Sequence, residues 1–237
     1  MKYLFTFLLG LLICSCSDYN KILKSDDYNQ KFKYANTLYD KENFNKAIPL
    51  YEQVYQFAPK TDAGEVSYFR LAKSYYAEEE YYLAGYYFNA FMQRFPYSVK
   101  NEECLYMTAI CSVNNSPEYS LDQEETEIAI NNIQQFVNRY PNSTLVDSCN
   151  TIIDRLRYKL EFKDFQAVKL YAKTERYRAA VTSALSFVEN FNTTSPIVSL
   201  LDSHPINGFV LPCLVSNFNI HFLVLPLPDC MAVFVGI

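Results

Sequence analysis

Acid–base or nucleophilic catalysis usually needs a histidine, a reactive cysteine or paired carboxylates, and this chain offers few such groups. Both histidines, His204 and His221, lie in the last 42 residues, which nearly excludes Ser-His-Asp catalysis and His-ligated metal sites elsewhere. A hydrolase could use paired carboxylates, and the candidates are residues 78–80 and the pair Asp122 and Glu124. These positions are more typical of helix caps and solvated surfaces. We therefore expect a protein that is not an enzyme, with no cofactor and no metal.

The seven cysteines form neither a redox motif nor a zinc motif, because no two are separated by two residues. Cys104 and Cys111 are seven apart, which puts them on one face of a helix with Cα atoms about 10 Å apart, too far for a disulfide. Together with Cys149 they are predicted to fill core positions as small apolar side chains.

Charge and glycine content exclude two further classes. The chain has 21 Lys and Arg against 26 Asp and Glu, a net charge of −5, whereas a protein that neutralises phosphates usually has a positive excess. Its 5 glycines are scattered and form no phosphate-binding loop. We expect no nucleic-acid partner.

Residues 1–15 have the pattern of an export signal and are left out of the fold. Lys2 precedes an apolar stretch of eleven residues, Tyr3 to Ile13, which is too short to span a bilayer. The stretch ends in Ile-Cys-Ser-Cys, which resembles a bacterial lipobox. The resemblance implies that Cys16 becomes the first mature residue and is lipidated, each buried CH₂ contributing about 0.8 kcal/mol to anchoring. An ordinary secretory signal is the alternative. Because Ser17 follows, and not Asp, the outer membrane is the expected location.

After a tether at residues 16–27, residues 28–195 repeat the tetratricopeptide pattern of small and aromatic positions. Small residues let two helices approach closely, and prolines at 59, 96 and 141 end the second helix of three units. The small positions of the first three units are Ala35, Ala47, Ala72, Ala84, Ala109 and Ala129. The predicted units are residues 28–61, 65–98, 102–143 and 145–192.

These units predict an all-α fold, a tetratricopeptide-repeat α-solenoid in which about eight helices form a right-handed superhelix of antiparallel pairs. No unit buries its own apolar face, so the stability must come from stacking. The third unit contains an insertion, Asn114 to Ser120. After it, Ser120 and Gln123 are predicted to form a capping box that starts the next helix.

The third unit makes the pattern more specific, because it reads S-P-E-Y-S-L-D-Q-E-E-T-E-I-A-I and is followed by F-V-N-R-Y-P-N-S-T. Over roughly residues 16–195 the chain resembles the BamD lipoproteins of the outer-membrane β-barrel assembly machinery, in the version typical of Bacteroidetes. The resemblance implies a lipid-anchored scaffold on the periplasmic face of the outer membrane. Its implied partners are the barrel assembly subunit, companion lipoproteins and unfolded barrel precursor peptides. Another periplasmic tetratricopeptide adaptor, in envelope division or polysaccharide export, is the alternative.

In such arrays the first helix of each pair lines the concave side, and the resemblance implies that its side chains bind an extended peptide. The peptide-binding residues that this implies are Phe32, Asn36, Tyr39, Phe69, Lys73 and Tyr76. Phe32 and Phe69 could equally pack on the neighbouring repeat, and both possibilities stay open.

Residues 196–237 differ in composition from everything before them. They contain no Lys, Arg, Glu, Gln or Tyr, and they hold five of the 10 prolines. No helix of useful length is expected there. A tail translated out of frame, or one that follows a disrupted gene end, is the favoured interpretation; a real extended tail is the alternative. We expect its deletion to leave the melting of the array unchanged or improved.

Overall fold

The structure is a computed structural model, and it describes residues 18–191. Within that range the chain forms helices and turns but no strand, so the predicted all-α helical-repeat fold is confirmed. A helical segment at residues 18–23 precedes eight longer helices. These are α1 (Tyr28–Asp40), α2 (Phe44–Phe57), α3 (Asp62–Ala77), α4 (Tyr81–Arg94), α5 (Asn101–Asn115), α6 (Glu124–Arg139), α7 (Val146–Lys173) and α8 (Tyr177–Asn190). The predicted signal, Cys16 and the tail at 196–237 lie outside the described residues, and the handedness of the superhelix stays a prediction.

The described residues belong to two compact units. The first contains residues 18–117 and 124–149, and the second contains residues 118–123 and 150–191. In the first unit each helix from α1 to α5 packs on the next one along the chain, and α1 also contacts α3. In the second unit, Phe187 of α8 is buried against Phe162, Phe165 and Val168 of α7.

The small residues of the repeat pattern lie where helices meet in the first unit. All six small positions named above are at most 1% exposed. Two caps start the first helices of the first two pairs: Gln30 N donates to Asp27 Oδ1 at 2.9 Å, and Gly64 N donates to Thr61 Oγ1 at 3.1 Å. The close helix contacts therefore use the residues that made the pattern visible, whereas the caps use Asp27 and Thr61, which lie outside that pattern.

Three helix pairs turn in the same way. The turn residues Glu42, Glu79 and Glu175 all adopt a left-handed backbone, with φ of 57°, 62° and 59°. In each turn the amide of the next residue donates to the carbonyl five residues earlier, at distances of 2.8, 3.0 and 3.0 Å. This is the 6→1 bond that closes many helix C-termini. Pairs α1–α2, α3–α4 and α7–α8 therefore share one turn geometry.

The predicted capping box at Ser120 is wrong. Helix α6 begins at Glu124, four residues after the predicted cap. Gln123 Nε2 donates to the carbonyls of Glu118 at 2.7 Å and Leu121 at 3.1 Å. Gln123 itself precedes the helix, so it cannot occupy the third helical position that a capping box requires. No helix among the described residues has both the length and the apolar character needed to cross a bilayer.

Candidate functional site

The first helices α1, α3 and α5 form one surface of the first unit, called here the first-helix face. On it, Arg70 Nη1 of α3 donates a 2.8 Å hydrogen bond to Asn36 Oδ1 of α1. The same oxygen accepts the Tyr51 hydroxyl at 2.8 Å. Since a guanidinium can only donate, Asn36 must turn its oxygen inwards. Its Nδ2 donor is thereby left without a protein partner in the described part of the chain.

Tyr39 lies beside this network. The Arg70 guanidinium lies 4.9 Å from the centre of the Tyr39 ring, and Arg70 Nη1 lies 3.8 Å from Asp40 Oδ1. Phe44 and Tyr51 pack edge-on against Tyr39, with ring centres 5.3 and 6.3 Å away. The half-buried ring is therefore held on one side and open on the other.

Tyr51 anchors the network from the core. It is fully buried, and this burial raises its pKa to about 12, although the hydrogen bond from Arg70 acts in the opposite direction. The phenol thus remains a hydrogen-bond donor to Asn36 at any physiological pH. The orientation of the Asn36 amide does not depend on pH.

Two further contacts link α3 to α5. Lys73 Nζ lies 2.8 Å from Glu103 Oε1, and Asn114 Nδ2 donates to the Tyr76 hydroxyl at 3.3 Å. Tyr76 also packs edge-on against Tyr81, with ring centres 5.4 Å apart. Lys73 and Tyr76 are both half-buried. The first-helix face therefore continues from α1 through α3 to α5.

Phe69 does not belong to the exposed part of this face. It is 8% exposed and packs edge-on against Phe88 and Phe91 of α4. Lys73 Nζ covers its ring at 5.5 Å from the centre. The structure buries Phe69 against α4, the second helix of its own predicted unit, and not against a neighbouring repeat. With so little of the ring exposed, Phe69 offers little surface to a bound peptide.

Phe32 lies towards the other end of α1. It is half-buried against the core around Ala35 and lines a shallow cavity of about 360 Å³. The cavity lies among the start of α1, the end of α2 and the start of α3, and Phe57 is part of its wall. The Phe57 ring stacks on Tyr28 with centres 3.8 Å apart. Phe32 therefore both packs on the core and borders an open cavity.

Three residues of the network were not predicted: Arg70, Tyr51 and Glu103. Arg70 had a detectable signal, because it and Lys73 are the two basic residues of α3 and are three apart, which puts them on one face. Tyr51 could not be predicted, because its hydroxyl bond to Asn36 depends on how α2 packs on α1. Glu103 could not be predicted either, because its ion pair with Lys73 requires α5 to lie beside α3, which spacing along one helix does not specify.

The cysteines lie in the core as predicted. Cys104, Cys111 and Cys149 are buried, and burial raises the pKa of Cys104 and Cys111 to about 12. Such thiols are poor nucleophiles. Between residues 18 and 191, no three His, Cys, Asp or Glu side chains are grouped so that they could hold a metal ion. The chemistry of this face is that of hydrogen bonding and aromatic contact.

Comparison with known proteins gives two matches. A family described as YfiO, outer membrane lipoprotein, matches residues 24–203. A Caulobacter vibrioides protein named outer membrane protein assembly factor BamD is 24% identical over 156 residues. This aligned stretch is 66% of the chain and 51% of that relative, so the chain spans about half the relative's length.

Proposed function

This chain belongs to the YfiO family of outer membrane lipoproteins, and on that premise we propose that it is a non-catalytic scaffold of outer-membrane β-barrel assembly. Its first-helix face binds extended segments of unfolded barrel precursors. Cys16 bears the lipid that holds the scaffold on the periplasmic face of the outer membrane. The barrel assembly subunit and companion lipoproteins are its protein partners.

The observation that supports peptide binding is the orientation of the Asn36 side-chain amide. Arg70 and Tyr51 fix its carbonyl oxygen, so its amide nitrogen remains available to donate. A backbone carbonyl of an extended chain is a suitable acceptor. Because the Asn36 side chain is already held, binding such a carbonyl costs little further side-chain entropy.

The aromatic residues of the face suit the side chains of the same peptide. Strands of membrane barrels alternate apolar and polar residues, so every second side chain of an unfolded strand is apolar. Tyr39 and Tyr76 offer half-exposed rings, each held by protein contacts. Lys73 supplies a cation beside Tyr76, although Glu103 already pairs with it. An extended peptide segment can therefore place its apolar side chains on the Tyr39 and Tyr76 rings and a backbone carbonyl on Asn36.

Photo-crosslinking tests the location of this site. A photoreactive phenylalanine replaces Tyr39 or Tyr76, and the control replaces Tyr97, which is 98% exposed in the α4–α5 loop. With an unfolded barrel-strand peptide, positions 39 and 76 should crosslink and position 97 should not. Equal crosslinking at all three positions would mean that the peptide adheres without a site.

The protein partner is tested separately. The affinity-tagged full-length chain should co-purify with the barrel assembly subunit from detergent-solubilised outer membranes. Co-purification of division or polysaccharide-export proteins in its place would support the alternative adaptor function.

A further inference from the structure

Residues 18–23 form a short helix that is fastened to the first repeat. Ile22 and Leu23 pack against the core around Ala35 and Leu50. The Tyr19 hydroxyl donates to the carbonyl of Lys46 at 3.3 Å, and Lys46 Nζ lies 5.7 Å from the Tyr19 ring centre. The apolar side of this helix therefore packs against the core of the first repeat.

The connection from this helix to α1 is also ordered. Lys24 N donates to the carbonyl of Asn20 at 3.2 Å, and Asp27 N donates to Ser25 Oγ at 3.0 Å. Asp27 then caps α1. The segment 18–27, called here the strut, is therefore joined to the first repeat by contacts of its helix and of the residues that lead into α1.

The strut begins at one particular end of the α1–α2 pair. Lys46, which Tyr19 contacts, is in the first turn of α2, next to the α1–α2 turn. Tyr39 of the first-helix face lies at that same end, because its ring contacts Phe44, the first residue of α2. Lys60 follows α2 at the other end of the pair. Helices of this length put that end about 20 Å from the α1–α2 turn.

The covalent distance from the strut to the proposed anchor is short. Asp18 is two residues after Cys16, which limits their Cα separation to about 7 Å. We infer that the strut seats the α1–α2 turn end of the first repeat against the lipid headgroups, so that the Tyr39 end of the first-helix face opens at the membrane surface. This inference rests on the lipid anchor at Cys16 of the proposed function.

The partner of the α1–α2 turn end is the lipid bilayer. The short chain between Cys16 and Asp18 determines this contact more than charge does. In segment 18–27, exposed Lys21 and Lys24 face three exposed carboxylates, Asp18, Asp26 and Asp27, so the segment has no positive excess to attract anionic headgroups. The seating should therefore persist at high salt, where an electrostatic contact would weaken.

The test uses the full-length lipidated protein in phosphatidylethanolamine–phosphatidylglycerol vesicles with an energy-transfer acceptor on the headgroups. One donor dye is placed at Lys41→Cys in the α1–α2 turn and another at Lys60→Cys at the opposite end, both exposed positions. Cys213 and Cys230 are replaced by Ser; the buried thiols of Cys104, Cys111 and Cys149 react slowly. Transfer from position 41 should exceed transfer from position 60 by about twofold or more, given the helix length between them.

A matched variant inserts twelve Gly and Ser residues between Ser17 and Asp18, a linker with a mean reach of about 20 Å. It should reduce transfer from position 41 by about half or more and remove the difference between the two positions. Equal transfer in the unmodified chain, or no effect of the insertion, would overturn the seating.

Cys16→Ser separates this failure from that of the anchor. The variant should leave the vesicles altogether. If it stays bound, the lipid anchor is wrong and the seating fails with it. If it leaves while the two dyes in the lipidated chain report equal transfer, the seating alone is wrong.

Discussion

Arg70 and Asn36 are joined across two repeats by a 2.8 Å hydrogen bond whose acceptor also binds the buried Tyr51 hydroxyl. This bond has two consequences. It stabilises the packing of α3 on α1 through one polar contact, and it orients the side-chain amide of Asn36. The same contact therefore contributes both to the stability of the array and to the proposed site.

Arg70→Ala should lower the free energy of unfolding by about 1.5–3 kcal/mol, the range for hydrogen bonds to charged groups. Asn36→Ala should cost a similar amount, and the double variant should cost clearly less than the sum, because both changes remove one shared contact. Urea unfolding of the four proteins gives this cycle. Arg94→Ala with Asn36→Ala is the control pair and should be additive, since Arg94 contacts Tyr55 and Tyr68. Additivity in the Arg70 cycle would contradict the coupling.

Gly64 and Gly85 should respond very differently to alanine. A Cβ on Gly64 would lie 2.1 Å from the backbone carbonyl oxygen of Ala58, which cannot move aside without displacing the end of α2. We expect Gly64→Ala to cost about 3 kcal/mol or more, at or beyond the usual range for overpacking. On Gly85 the nearest atom is the Cys111 Cβ at 3.3 Å, and alanine favours the helix, so the change should stay within about 1 kcal/mol. Thermal melts followed by circular dichroism measure both; similar losses would show that the close approach at Gly64 is not limiting.

Glu79→Gly should stabilise the α3–α4 turn. Glu79 has a φ of 62°, a conformation that costs L residues about 1–2 kcal/mol and glycine very little. We expect a gain of about 1 kcal/mol in the free energy of unfolding. Lys33→Gly is the control and should destabilise, since Lys33 is exposed in the middle of α1, where glycine costs about 1 kcal/mol. The urea midpoints of the two variants should move in opposite directions; a shift of both to lower urea would contradict the strain at Glu79.

The Glu65 contact should make stability depend on pH. The hydrogen bond from Ser98 Oγ at 2.8 Å, together with Lys100 Nζ at 3.2 Å, holds the pKa of the Glu65 carboxyl below its ordinary value, although burial opposes this. Because the folded pKa is the lower one, the ionised form favours the fold. This contribution is complete at neutral pH and is lost as pH falls from about 5 through the folded pKa.

Ser98→Ala isolates that contribution. The variant should be less stable than the unmodified chain at pH 7, and the difference between their urea midpoints should shrink as pH falls from about 5 towards 3. Other carboxylates titrate in both proteins and largely cancel in the difference. A difference that stays constant over this range would mean that Ser98 stabilises the fold without acting through the Glu65 charge.

The sequence predicted the parts of this molecule that depend on local spacing. Ala35 and Ala72 mark helix contacts because only small residues fit there, and both are fully buried. The start of α6 could not be predicted, because Gln123 donates to carbonyls of the preceding loop, whose folding local spacing does not specify. For Phe69, spacing along α3 could not tell whether α4 covers its ring. The bond from Arg70 to Asn36 could not be predicted, because it depends on how closely two repeats approach, which local patterns do not contain.

The most direct test of peptide binding compares two double variants by fluorescence anisotropy with a labelled, unfolded barrel-strand peptide. Tyr39→Ala with Tyr76→Ala removes both half-exposed rings of the first-helix face. Tyr82→Ala with Tyr97→Ala removes two more exposed tyrosines, 65% and 98% accessible, that lie off that face. The first pair should weaken binding by about 2 kcal/mol, or about 30-fold, with helical content unchanged, and the second pair should leave the affinity as it was. Unchanged affinity in the first pair, or equal loss in both, would contradict binding at the first-helix face.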